Sequence, residues 1–279
     1  MFVIAGEALI DFIGTPDGSY RPVAGGAPYN FARALALQGV AAGYANALST
    51  DNFGMLLRES LISAGATALG PALAQLAAHF SAQTLGFHSG GLALVPPDHE
   101  IIAAAQRQAR SKGIVCTLDV NMRMQVAGSM GVSPSDYREA GRAAIAAADI
   151  VKVSDEDLQH LGFTAPPVDA ARDLLNDLCK VVVVTMGASG AWVLTAAHEI
   201  FQRAEVVTVV DTVGAGDCFF AGFIASLIHD GALTTLRTHA PIQAVLERAL
   251  RHATHCAAIN ITREGCQPPT WAEATVLWR

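Results

Sequence analysis

Asp217 is the residue whose surroundings call most directly for chemistry. It follows Gly214-Ala215-Gly216, and an apolar pattern of helical spacing begins at once with Phe219, Phe220, Phe223, Ile224, Leu227 and Ile228. A glycine turn that opens a helix collects unpaired backbone N–H groups and the positive end of the helix dipole, so it stabilises an anion. Glycine suits the turn because a Cβ would hold a phosphate away from the backbone. A carboxylate inside such a site repels phosphate unless it has work to do. Beside a bound hydroxyl, Asp217 could remove the proton as that oxygen attacks a phosphoryl group. A plainer reading also fits the run, a tight turn with an acid in the first helical turn, where the dipole alone favours it.

Other polar groups gather where elements should end. Residues 2–10 read as a strand ending in Asp11, and open α/β sheets place ligands at the carboxyl ends of their strands. Ala24-Gly25-Gly26-Ala27-Pro28-Tyr29-Asn30 leads into a helix marked by Phe31, Ala34, Leu35 and Leu37 and stopped by Gly39. Two glycines before a proline at a helix start let backbone approach a ligand closely. A strand over 113–118 ends in Asp119-Val120-Asn121-Met122-Arg123. A wholly apolar, β-branched run at 181–185, read as a central buried strand, ends in Thr185-Met186-Gly187-Ala188-Ser189-Gly190. Ser154-Asp155-Glu156-Asp157 opens a helix, which an N-cap followed by first-turn acids explains physically. His252 and His255 lie on a helix over 245–258 with no third ligand spaced to join them, so they read as surface or satisfied core residues.

The elements that must hold these groups alternate along the chain. Strands are expected at 20–23, 40–48, 84–88, 150–153, 191–194 and 205–210, and helices at 53–64, 73–80, 101–110 and 137–148. That order predicts an α/β fold, a central and mostly parallel sheet with helices on both faces. With 279 residues, 52% of them hydrophobic and 15% charged, one large domain over 1–279, or one domain with a small appendage, is expected with a sizeable core. No apolar run reaches the length of a membrane span, and the start lacks the basic region of a signal peptide. A net charge of −7 with scattered basic residues argues against a nucleic-acid partner. The five cysteines are widely spaced and odd in number, so neither a disulfide framework nor a zinc site is expected, and a reduced cytoplasm fits them. A dinucleotide-binding oxidoreductase is excluded, because the third glycine position of that motif holds Phe219 and the loop comes late in the chain.

Asp211-Thr212-Val213-Gly214-Ala215-Gly216-Asp217 resembles the C-terminal signature of the ribokinase-like, pfkB-type carbohydrate kinases. Gly6-Glu7-Ala8-Leu9-Ile10-Asp11, together with Gly25-Gly26-Ala27-Pro28 and Asn30, is similar to the N-terminal half of its fructokinase members. The resemblance implies a ribokinase-like fold, with a sugar-binding half over about 1–125 and a nucleotide-binding half over about 126–279. It implies ATP-dependent phosphorylation of a sugar hydroxyl, with fructose as first choice and 2-keto-3-deoxygluconate or ribose as alternatives. Asp217 is then the catalytic base, and Gly214, Ala215 and Gly216 form the anion hole. Asp11, Gly25, Gly26 and Asn30 bind the sugar, and Asn121 and Arg123 lie beside sugar and phosphate. Thr185, Gly187 and Gly190 touch the nucleotide, and Thr254 and Asn260 are adenine-pocket candidates. Asp211 resembles the ligand of a monovalent cation, with K+ the candidate, and Asp157 stands where the family orders magnesium-bound water. The implied partners are ATP, Mg2+ and a small sugar, with a homodimer as candidate assembly.

Two departures from the family bear on function. Near 66–72, where relatives insert several lid strands, this chain runs almost directly into its next helix, so the small lid sheet is expected to be reduced or missing. A lid excludes water and completes the substrate site, so its loss implies leaking ATP hydrolysis or weak sugar binding. It also opens a second class of reading, a non-catalytic sugar or nucleotide sensor, against which the retained Asp217 speaks. Tyr29 stands where relatives commonly carry a small residue and is expected to alter the shape of the pocket. An acid sugar would call on Arg33 or Arg123.

Overall fold

The computed structural model describes residues 1–15, 17–70, 73–238 and 241–276. Its strands are β1 Phe2–Ile4, β2 Leu9–Gly14, β3 Tyr20–Gly25, β4 Ala42–Tyr44, β5 Thr67–Ala68, β6 Gly86–Gly90, β7 Val115–Asp119, β8 Ile150–Ser154, β9 Val181–Thr185, β10 Ala191–Leu194 and β11 Glu199–Gln202. Nine of them form one sheet in the order β11-β10-β9-β8-β7-β6-β1-β4-β5, and β2 and β3 form a separate pair. The sheet is parallel from β5 to β9, and only β10 runs against the rest, pairing antiparallel with β9 and with β11. This is the mostly parallel, helix-covered sheet that the alternation predicted.

Period-two alternation assigns each strand residue to one face or the other. Val181 and Val183 enter one core, which also holds the helices Ala27–Leu37, Ala215–His229 and Gln243–Ile261, while Val182 and Val184 enter the opposite core with His99–Ser111 and Pro134–Ala146. The helix Ala215–His229 is buried from Asp217 through Leu227 without a solvent face. A helix apolar on every side needs neighbours on every side. The sheet, Ala27–Leu37 and Gln243–Ile261 supply them. Gly222 sets the close approach of two of these helices, since a Cβ there would lie 2.7 Å from the Cys256 Sγ and 3.3 Å from the Ala253 Cα.

Several elements differ from the sequence-based expectation. The strand expected over 2–10 is two strands in two different sheets. β1 stops at Ile4, and Gly6, with φ of 147° and Pro28 packed against its α-carbon, turns the chain out of the central sheet. Asp11 therefore lies inside β2, opposite Val23, and not at the carboxyl end of a central strand. The lid sheet is reduced to the antiparallel pair β2–β3, and at the expected insertion point β5 and the residues to 70 are described while 71 and 72 lie outside the described residues. The strand expected over 205–210 does not form. The sheet edge ends with β11, so these valines have no partner strand, and Val206, Val209 and Val210 are exposed. β-propensity without a neighbour to pair with does not make a strand. Between 73 and 80 the chain makes a kinked 3-10 segment, Leu73–His79, in place of a regular helix.

Candidate active site

Sheet register lines up the first part of the site. Gly90, Asp119, Lys152 and Val183 sit side by side across β6, β7, β8 and β9. The row lies at the ends of β6 and β7 and two residues short of the ends of β8 and β9, on the face that the helix Ala215–His229 covers. The Lys152 Nζ donates to both carboxylate oxygens of Asp119, at 2.9 and 3.0 Å, and both side chains are buried. Neither sequence pattern nor resemblance singled out this pair. The available signal was Lys152 itself, a charge inside a strand whose other positions are apolar, a place that charged residues occupy only when paired.

Over this row stands the start of the helix. Gly214 caps it at φ of 72°, a left-handed conformation natural to glycine, and Cys266 packs where a Cβ would go. The Cys218 N–H closes the first turn on the Gly214 carbonyl at 2.9 Å, which leaves the amides of Gly216 and Asp217 without an acceptor among the described residues. A Cβ on Gly216 would lie 3.2 Å from the Lys152 Nζ, so the ammonium sits against the turn itself. Asp217 is buried and accepts a hydrogen bond from the Asn30 Nδ2 at 2.9 Å. The Asn30 Oδ1 is buried with no partner, an acceptor aimed into the site beside the candidate base. Burial, and then the negative charge of Asp119, push the Asp217 carboxyl up to about 7 against the opposing pull of Asn30, Lys152 and Arg123.

Of the sugar-binding candidates, Asn30 bonds Asp217 directly and Asp11 shares the Arg123 charge with it. The Asp11 carboxylate packs directly on Gly25, where a Cβ would strike it. Gly26 has φ of 107°, and a Cβ there would meet the Glu7 carbonyl oxygen at 2.5 Å. Asp11 is half-buried, which raises its pKa, while the Arg123 charge acts the other way. Arg123 also acts on Asp119 and Asp217, so one exposed cation faces three carboxylates. Asn121 precedes it in a left-handed backbone conformation, φ of 39°. Tyr29 does not shape this pocket as expected. It is fully buried, its hydroxyl donates to the Leu57 carbonyl at 2.6 Å, and its ring packs edge-on against Tyr44. Arg33 is also turned away, donating to the Cys266 carbonyl at 3.2 Å.

Glu7 was missed by sequence reasoning although it lies inside a quoted motif. Its carboxylate accepts the Ala27 N–H at 3.3 Å and the Leu92 N–H at 3.1 Å, and Gly91 packs on it. It therefore braces the Gly25-Gly26-Ala27 loop against the loop after β6. Burial pushes it up to about 7, even with those amides in place.

On the other side of the glycine turn a cavity of about 500 Å³ opens, within the size range of small-molecule sites. Thr185, Gly187, Gly190 and Thr254, four of the nucleotide candidates, line it together with Ala215 and Gly216. Val206, Val207 and Val209, the valines that make no strand, form part of its rim. Asn260 is not among the lining residues. It is fully buried, donates to the Val213 carbonyl at 2.8 Å and accepts the Gln267 N–H at 2.9 Å, stapling the segment that leads into the turn. Asp211 performs a similar task, accepting from the Val213 and Gly265 amides at 3.0 and 2.8 Å, and these bonds hold its carboxyl below the ordinary range.

Asp157 forms a reciprocal capping box with Ser154 and also accepts the Met122 N–H at 2.7 Å, which ties the segment after β7 to the end of β8. Among the described residues no group of three or more His, Cys, Asp or Glu side chains could hold a metal ion. His252 and His255 are both core residues. The His252 Nε2 lies 2.6 Å from the Gln38 Oε1, and the His255 Nε2 lies 3.1 Å from a Glu205 carboxylate oxygen. No helix in the described residues is long and apolar enough to cross a membrane.

Comparison with known proteins bears on the family and the fold. The profile of the pfkB family carbohydrate kinases matches residues 1–68 and 72–273, and its break falls where lid strands were expected. The chain is 33% identical to a fructokinase of Rhizobium leguminosarum bv. trifolii over 90% of this chain and 86% of the relative. It is 28% identical to the aminoimidazole riboside kinase of Salmonella typhimurium, over 94% and 89% of the two. Among solved structures, a fructokinase from Xylella fastidiosa with bound ATP superposes with a TM-score of 0.85 at 24% identity, covering 99% of this chain and 97% of that one. The aminoimidazole riboside kinase from Salmonella enterica gives 0.81 at 24% identity, covering 100% and 99%. At these identities the structural likeness speaks for the fold.

Proposed function

The chain belongs to the pfkB family of carbohydrate kinases and is an ATP-dependent sugar kinase, and from that premise we propose that it phosphorylates a hydroxyl of fructose. The observation that carries this reading is Asp217 itself, a buried carboxylate bonded to Asn30 in a turn whose Ala215 and Gly216 line the nucleotide-sized cavity, beside unpaired amides. Two relatives, 33% and 27% identical to this chain, are named fructokinase and probable fructokinase, which favours fructose among the sugars.

In this reading MgATP enters as substrate, with its base and ribose in the cavity and its phosphates toward the turn. The metal arrives with the nucleotide phosphates, as magnesium commonly does, and needs no protein cage. Asp11 and the Asn30 Oδ1 accept hydrogen bonds from sugar hydroxyls and fix the acceptor oxygen beside Asp217. Asp217 takes the proton of that hydroxyl as the oxygen attacks the terminal phosphorus. The amides of Gly216 and Asp217, with the dipole of a helix 15 residues long, stabilise the charge on the transferring group. Arg123 neutralises charge from the solvent side. Asp211, held ionised by two amides, is the proposed ligand of an activating K+, which a comparison of rates in K+ and Na+ tests.

The test is a coupled ATP assay across fructose, ribose and 2-keto-3-deoxygluconate. Fructose should give the highest kcat/KM. A clear preference for either other sugar would overturn the substrate assignment. The reduced lid favours one second reading, a sensor without turnover, and binding of sugar and nucleotide with no product from any sugar would establish it.

A further inference from the structure

The Lys152–Asp119 pair has no role in the reading above, yet it is the most deeply buried ion pair near the site. Burying both charges carries a large desolvation cost, and a hydrophobic pair of similar volume is often as stable. Stability alone is thus a poor account of it. Its position offers a better one. Register sets Asp119 and Lys152 directly opposite one another, on the face that receives the start of the helix Ala215–His229. The ammonium is close enough to Gly216 that a Cβ there would come within 3.2 Å of it. Asp217 follows in the next position of the same turn.

We propose that Lys152 is a positioning residue for the phosphoryl-transfer site, a buried cation whose charge lets Asp217 ionise beside Asp119 and whose bidentate bond aims Asp119 away from the base. The proposal rests on the assignment of Asp217 as the base. The groups that face Asp217 divide by sign. Asp119 from β7 and Glu7 from the loop after β1 disfavour its charge, while Lys152 from β8 and Arg123 from the segment after β7 favour it. Asn30, from the helix Ala27–Leu37, donates to it, and Cys218 beside it is neutral. Asp157 adds negative charge near Lys152 without touching it through a hydrogen bond. Only Lys152 among the cations is buried, so only its charge reaches Asp217 without screening by water.

The two partners should therefore act on Asp217 in opposite directions, which a merely structural pair would not do. The experiment is a carbon-13 titration of side-chain carboxyls, with Asp217 identified by the signal lost in Asp217→Asn, alongside the pH profile of kcat/KM. Lys152→Met should raise the titration of Asp217 by about one unit or more, and Asp119→Asn should lower it by a similar amount. The double variant should return close to wild type. Movement of less than about half a unit in both single variants, or movement in the same direction, overturns the proposal. If Lys152→Met does not fold because Asp119 is left buried and unpaired, Asp119→Asn decides alone, with a downward shift supporting the proposal and no shift or an upward one overturning it. Asp217→Asn with near wild-type turnover overturns the base assignment and this proposal together. Lost turnover with unmoved titrations overturns this proposal only.

Discussion

Two residues in this site carry charge that burial resists, and both report on pH. Asp217 and Glu7 are pushed up to about 7, chiefly by burial. A base must be ionised, so kcat/KM should fall as pH drops below about 7, with a slope of one or two protons set by whether Glu7 also matters. The same shift has a stability consequence of definite sign. Between the ordinary carboxylate range and about 7 the folded protein holds protons that the unfolded chain has released, so stability is lost as pH rises through that window. Asp217→Asn removes its share of the loss and still accepts from Asn30 through its amide oxygen. It should be more stable than wild type at pH 8, by at most about 4 kcal/mol for roughly three units, and the gain should shrink toward pH 5 in denaturant titrations. A variant less stable at pH 8 than at pH 5 relative to wild type would contradict the shift. Asp11→Ala should raise the sugar KM far more than the ATP KM; equal effects would place Asp11 outside the sugar site. At this scale the sequence told much. Asp217 and Asn30 were marked by the glycine turns beside them, because a glycine turn leaves a trace in one dimension, whereas Asp11 was marked by an expected strand end that lies inside β2 instead. Lys152 left only a single charge in an apolar strand, since its meaning lies in register with Asp119, which no local pattern encodes.

At the scale of elements, glycines decide how closely parts of the site approach. Gly25 leaves room for the Asp11 carboxylate and Gly222 for Cys256. Gly222→Val forces side-chain volume between the helices Ala215–His229 and Gln243–Ile261 and should cost about 1–3 kcal/mol. A thermal midpoint unchanged from wild type would show that the helices can separate freely. The alternation of strands and helices was legible because buried parallel strands and long amphipathic helices have distinct periods. Two elements were not. The run over 2–10 is apolar but for Glu7 and gave no sign that Gly6 divides it between two sheets. The valines of 205–210 have strand propensity but lie past the last edge strand, where the cavity rim is their use. Asn260 was expected at the adenine site from resemblance, and the structure places it in a hydrogen-bonded staple instead.

For the whole molecule, the small antiparallel pair β2–β3 stands in for a lid. Its Asp11 shares the Arg123 charge with the base, and Phe12 and Tyr20 on it are exposed. A site so lightly covered should admit water, so ATP hydrolysis without sugar should be a measurable fraction of the sugar-dependent rate. Undetectable hydrolysis would mean that β2–β3 closes well enough alone. The shortened segment was visible in the sequence as a missing run near 66–72, and the family match breaks at the same place. The account as a whole stands on one carboxylate acting as a base for a sugar hydroxyl. Its most direct test is turnover of fructose with MgATP by wild type and Asp217→Asn, measured with the nucleotide affinity of each. Loss of about 10²–10⁴-fold in kcat with nucleotide binding retained is the predicted result. Turnover by Asp217→Asn within a few-fold of wild type would contradict it.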